Sequence, residues 1–141
     1  MVTKADFSAA EWDALHKGVG GAGMLVSLSD MDLTDSWGEA SAIAKYCAAQ
    51  VTAGETQLIR EIAGVHGTGF GITSSPTKVR TETEAAIRSS MASLTAKAPD
   101  EVEPYRRFVL GCAQAAAEAK GGVKPAETSA IDAIRQALGA A

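Results

Sequence analysis

Aromatic residues are scarce in this chain, and so are the residues that carry most enzyme chemistry. Phe, Trp and Tyr make up 5% of the 141 residues, and there are two histidines, two cysteines and four prolines. No run of alternating β-branched and polar residues is long enough to predict a strand. Much of the 46% hydrophobic content is alanine, which has the strongest helix propensity. The composition predicts an all-α fold, with residues 1–141 forming a single domain.

Positive charge is also in short supply. The 13 Lys and Arg residues are outnumbered by 17 Asp and Glu residues, which gives a net charge of −4. The basic stripe of a nucleic-acid-binding protein is missing, so no nucleic-acid partner is predicted. The first residues lack the basic segment and apolar run of an export signal, and the longest weakly polar stretch, 18–28, is about half a membrane span. We expect a cytoplasmic protein with no direct membrane insertion.

Helical periodicity and start signals predict a compact bundle or array of about six or seven helices. Ser8 with Glu11, and Ser36 with Glu39, have the spacing of capping boxes at the starts of the first two helices. Pro125 has the position of a first-turn proline in the last helix. The third, fourth and fifth helices are predicted to begin near Thr56, Thr81 and Pro99. The predicted core residues include Trp12, Ile43, Cys47, Val51, Val109, Ile131 and Ile134.

The cysteines, Cys47 and Cys112, each fall inside a predicted helix. Disulfides are typical of exported proteins, and this chain lacks an export signal. Free cysteine is among the most buried residue types. We therefore expect two reduced, buried thiols without a disulfide, and a redox pair is the alternative that the sequence leaves open.

Two helix–turn–helix segments of the chain resemble each other. When Glu39 is aligned with Glu127 without gaps, Ser-Ala-Ile at 41–43 falls on Ser-Ala-Ile at 129–131, and Asp30 falls on Glu118. Each segment has an apolar helix, an acidic residue, a short turn and a helix with Glu in its first turn. This pattern predicts two stacked helical hairpins that share a core.

In these segments the chain resembles the TerB-like domain, a helical family named for bacterial tellurite resistance. Residues 117–138, AEAKGGVKPAETSAIDAIRQAL, are similar to the family's closing pattern of a small-residue helix, an Asp-Gly-like turn, Val-x-Pro-x-Glu and a helix ending in Ala-Leu-Gly. Residues 25–46 resemble its first helix–turn–helix. One departure is Lys120, which stands where the family's second turn has Asp. The resemblance implies a non-catalytic stress-response module with protein partners, among them membrane-associated stress-response proteins.

An acidic cluster between the first two predicted helices is the main candidate site. Four acidic residues lie within 30–39, and Ca²⁺ and Mg²⁺ bind closely spaced carboxylates. The register is not that of an EF-hand, because Asp35 stands at the glycine position and Ser41 at the closing Glu position. The alternative is that these acids only complement a helix dipole. The predicted metal ligands are Asp30, Asp32 and Glu39, to which the resemblance would add Glu118 and Glu127.

Two glycine-rich segments suggest other ligands. Gly18, Gly20 and Gly23 spell the dinucleotide-binding fingerprint, but helical residues precede them where that fingerprint needs a strand. We interpret them as a face that allows close helix approach. The predicted loop 67–78 beside His66 is the alternative site, which a small ligand-binding protein or a hydrolase would use. No Ser or Cys of this chain lies in a nucleophile motif, and its two histidines do not have a metalloenzyme spacing such as His-Glu-x-x-His, so an enzyme is not predicted.

Overall fold

The computed structural model describes residues 2–29, 36–65, 75–118 and 125–139. These residues form six α-helices, which are α1 Ala9–Ser29, α2 Ser36–Ala53, α3 Gln57–Ala63, α4 Pro76–Lys97, α5 Val102–Glu118 and α6 Pro125–Ala137. Short 3₁₀ turns at Lys4–Asp6 and Pro99–Glu101 precede α1 and α5. The described ranges contain no strand, so the all-α prediction is confirmed. The helix pairs of the predicted repeat are α1–α2 and α5–α6, and the turns within them lie outside the described residues.

Helix α1 lies at the centre of the bundle and packs on α4, α5 and α6. Its glycines allow other helices to approach closely, because a Cβ at Gly21 would overlap with the Thr83 side chain of α4. A Cβ at Gly18 would overlap with the Tyr105 hydroxyl of α5. That hydroxyl is fully buried and donates to the Leu15 carbonyl oxygen at 2.8 Å. Of the three predicted glycines, Gly18 and Gly23 allow such a close approach, and Gly21 does so in place of Gly20. All of them lie within α1.

The first capping box forms as the sequence predicts. The Glu11 N–H donates to Ser8 Oγ at 3.1 Å, and the Ser8 N–H donates to Glu11 Oε1 at 2.8 Å. Lys97, the last residue of α4, places its Nζ 2.6 Å from the same carboxylate oxygen. The Lys97 hydrogen bond, with those from Ser8, lowers the pKa of Glu11 to about 2. The start of α1 is thereby tied to the end of α4.

Helix α4 begins at Pro76 rather than near Thr81, so the end of the predicted 67–78 loop is helical. The reason is local, because Ser75 Oγ accepts the Lys78 N–H at 3.2 Å and Pro76 occupies the first turn. Serine followed by proline is typical of turns and of helix starts alike. The prediction of a loop through residue 78 was therefore wrong.

Burial on α2 differs from the prediction, whereas Trp12, Val109, Ile131 and Ile134 are buried as expected. Ile43 and Cys47 are only half-buried, and Val51 is 43% exposed. The helix packs more extensively on α5 and α3 than on α1. At 3.6 residues per turn, Val51 lies about 80° around the helix from Ile43 and falls at the edge of the packed face. The prediction that Val51 lies in the core was wrong.

Candidate functional site

Cys47 of α2 and Cys112 of α5 face each other, with their sulfurs 3.5 Å apart. We call this pair the dithiol. A disulfide would require ~2.05 Å, and both cysteines are free, so the prediction of two unbonded thiols is confirmed. Cys112 is fully buried, whereas Cys47 is half-buried and reaches solvent. The expected burial therefore holds for Cys112 alone.

The residue before each cysteine sets how closely α2 approaches α5. A Cβ at Gly111 would overlap with the Tyr46 hydroxyl and ring. The phenol therefore rests directly on α5 at the one position that lacks a side chain. Its ring also contacts the Phe108 ring, with centroids 6.0 Å apart and planes tilted by 44°. Because Tyr46 and Gly111 precede Cys47 and Cys112, this contact brings the two sulfurs together.

A second contact holds the far end of α2 near α5. Arg107 donates from Nε and Nη2 to the two Glu55 carboxylate oxygens, at 2.5 and 2.8 Å. This hydrogen bonding lowers the pKa of Glu55. Both side chains are exposed, so the pair contributes little free energy of folding. Its forked geometry nevertheless orients the segment after α2 relative to α5.

The two thiols of the dithiol differ in acidity. Either thiol can donate in the hydrogen bond between the two sulfurs. Donation from Cys112 stabilises the ionised form of Cys47 and so lowers the pKa of Cys47, although burial partly opposes the effect. The same hydrogen bond, together with burial, raises the pKa of Cys112 well above its ordinary value. Cys47 therefore loses its proton first. Since the thiolate is the reactive form of cysteine, the lower pKa and the greater exposure favour the same sulfur, that of Cys47.

Most of the predicted acidic site lies outside the residues that the structure describes. Asp30 and Asp32 lie outside them, as do the side chains of Glu39 in α2 and Glu127 in α6. Glu118 is the exposed last residue of α5. In the described ranges, no three His, Cys, Asp or Glu side chains are placed to hold a metal ion. The divalent-cation site therefore stays a prediction.

A groove of about 470 Å³ runs between α4 and α6. Apolar residues and two arginines line it, including Arg88, Met91, Arg106 and Leu138. Neither the dithiol nor a histidine is among its lining residues. His66 and 67–74 lie outside the described part of the chain, so the alternative site at this loop also stays a prediction.

Sequence reasoning placed Cys47 and Cys112 on the core faces of two helices but did not pair them. Spacing along a helix shows which residues share a face, and it does not show which helix that face meets. The one signal available was glycine at 111 in the middle of a predicted helix, where it is unfavourable unless another group approaches closely. The site that the structure defines best is therefore one that the sequence left as an alternative.

None of the helices in the described ranges is long and apolar enough to cross a membrane. No family model, no curated protein and no solved structure matches this chain. Because the comparisons give no relative, a function must be inferred from the structure, and the dithiol between α2 and α5 is the observation that we use.

Proposed function

We propose that this protein is a non-catalytic stress-response module whose sensing element is the dithiol. The observation that carries the proposal is the distance of 3.5 Å between the sulfurs of Cys47 and Cys112 on two different helices. Oxidation would join α2 to α5 covalently, and reduction would release them. The TerB-like resemblance supports a role in stress response and contact with protein partners, including membrane-associated ones.

Forming the disulfide is a small movement with balanced chemistry. The dithiol gives up two protons and two electrons, and an oxidant such as glutathione disulfide takes them to become two thiols. The sulfurs start 3.5 Å apart and must approach by roughly 1.5 Å to reach bonding distance. A reducing compartment such as the cytoplasm would keep the dithiol reduced at rest.

Helix α2 is the element through which the redox state would reach a partner. It packs on α5 and α3 more extensively than on the central helix α1. Val51, one turn beyond Cys47, presents an apolar side chain at its surface, where it is 43% exposed. Fixing α2 on α5 would change the position of this surface, and a bound partner would sense that change.

The proposal is tested by equilibrating the full chain in glutathione redox buffers and measuring its free thiols and intact mass. We expect the wild type to lose both thiols together, with a mass decrease of two hydrogens. The Cys47→Ser and Cys112→Ser variants are matched controls and should form no intramolecular bond. Two free thiols in the wild type across all buffers would rule the proposal out.

A divalent-cation role for the acidic turn is a second candidate. Four acidic residues within 30–39 favour it, because a bound cation would relieve the repulsion between their carboxylates. The proposed ligands are Asp30, Asp32 and Glu39, with Glu118 and Glu127 as further contributors, and the ion would be calcium or magnesium. Its test is the calcium titration described in the Discussion.

A further inference from the structure

We infer that the oxidant of the dithiol is a small hydroperoxide, with Cys47 as the sulfur that it oxidises first and Cys112 as the thiol that resolves the product. This inference rests on the proposed redox function and adds the class of oxidant and the order of events. Three features of the described residues support it. They are the solvent access of Cys47, the difference in acidity between the two thiols, and the distance between the two sulfurs.

Access favours a small oxidant at one sulfur. Cys112 is fully buried, whereas Cys47 is half-buried, so only Cys47 meets solvent. The Cys47 side chain points from the middle of α2 towards α5, and the Tyr46 ring covers the adjacent part of α5. Exchange with a protein disulfide depends on access of one sulfur to another. A small hydroperoxide such as hydrogen peroxide, which is two linked oxygen atoms with their hydrogens, needs much less room.

Acidity favours the same sulfur. The hydrogen bond from Cys112 lowers the pKa of Cys47 and thereby increases its thiolate fraction at neutral pH. The Cys112 thiol keeps its proton, because burial and the neighbouring sulfur raise its pKa. Cys112, which is buried and cannot meet an oxidant from solvent, is therefore also the thiol that stays protonated.

The two steps balance in atoms and electrons. The Cys47 thiolate attacks one oxygen of hydrogen peroxide, a sulfur–oxygen bond forms, and the oxygen–oxygen bond breaks. The released hydroxide takes up from solvent the proton that Cys47 gave up on ionising and becomes water. The Cys112 sulfur then attacks the Cys47 sulfenic acid, a disulfide forms, and the departing hydroxide takes the Cys112 proton to become a second water. The sulfur separation of 3.5 Å places the resolving thiol in contact with the sulfenic acid. Overall, two thiols and one hydrogen peroxide give one disulfide and two waters.

The experiment treats the full chain with hydrogen peroxide in the presence of dimedone, which traps sulfenic acids, and locates the adduct by peptide mass analysis. In Cys112→Ser the sulfenic acid is not resolved, so we expect one adduct per chain, on Cys47. In Cys47→Ser we expect no adduct, and in the wild type a disulfide with little adduct. Circular dichroism checks that each variant is folded, and Cys112→Ala serves as a second variant in case the buried serine hydroxyl disturbs folding.

Two results would overturn the inference. One is an adduct on Cys112 in the Cys47→Ser variant, and the other is the absence of a Cys47 adduct in both folded Cys112 variants. A parallel sample with oxidised glutathione separates this failure from that of the proposed function. If glutathione disulfide forms the internal bond and peroxide does not, only the choice of oxidant is wrong. If neither oxidant forms it, the redox function fails as well.

Discussion

The contact of α1 with α4 and the contact of α2 with α5 each depend on a glycine. They differ in how deeply the side chain that packs on the glycine is buried. The side chain that packs on Gly21 is Thr83 of α4, which is fully buried. Neighbouring residues therefore surround this contact. At Gly111 the side chain is Tyr46, which is half-buried and has solvent on one side. The first contact lies in the core, and the second lies where α2 is partly exposed to solvent. The dithiol lies at the second contact.

The largest expected difference between these two regions is in stability. Leu15 of α1 is fully buried, so Leu15→Ala should lower the free energy of unfolding by about 2–5 kcal/mol. Val51 of α2 is 43% exposed, and Val51→Ala should change it by less than about 0.5 kcal/mol. Urea unfolding followed by circular dichroism measures both. Equal losses would contradict the view that α2 is the less tightly packed helix.

Alanine at the two glycines sharpens the comparison. Gly21→Ala should destabilise the fold, because overpacking costs about 1–3 kcal/mol and the gain in helix propensity is about 1 kcal/mol at most. In Gly111→Ala the Tyr46 ring can move towards solvent, so stability should change little. That movement would also separate the sulfurs of the dithiol.

For Gly111→Ala we therefore measure the rate of disulfide formation, which should be lower than in wild type. The unfolding midpoint of this variant should remain close to that of wild type. Gly21→Ala is the matched control, and it should form the disulfide at the wild-type rate while it remains folded. A wild-type rate in Gly111→Ala would show that the Tyr46–Gly111 contact does not position the sulfurs.

The hydrogen bond between the thiols predicts a pH effect confined to the α2–α5 contact. Cys47 reacts as a thiolate, so its alkylation rate rises as the pH passes upward through its pKa. The Cys112 donor lowers this pKa, and Cys112→Ala removes the donor. The rise in rate should then move to higher pH. Iodoacetamide rates measured across pH test this, with Val51→Ala as a control that keeps the wild-type profile. An unchanged profile in Cys112→Ala would contradict the assigned donor.

Local chemistry made much of the fold predictable. The Ser8–Glu11 capping box and the first-turn Pro125 depend only on neighbours within a turn, and both helices begin where these residues place them. In an alanine-rich helix such as α2, many faces are equally apolar, so the exposure of Val51 could not be read from spacing. The dithiol depends on α2 meeting α5, and that is a property of the tertiary packing.

The smallest of the expected effects is the heat of calcium binding before α2. Its measurement tests whether an ion binds the acidic residues at 30–39. If Asp30 and Asp32 lie in the turn that the sequence predicts, they can direct carboxylates to one point to which Glu39 also contributes. Lys120 in the predicted second turn and the departure from the EF-hand register argue for weak binding, in the ~0.1–1 mM range of loose calcium modules. Isothermal titration should give measurable heat with wild type and less with an Asp30→Asn, Asp32→Asn double variant. Equal heats would remove this site, and no heat in either would leave these acids with only a helix-capping role.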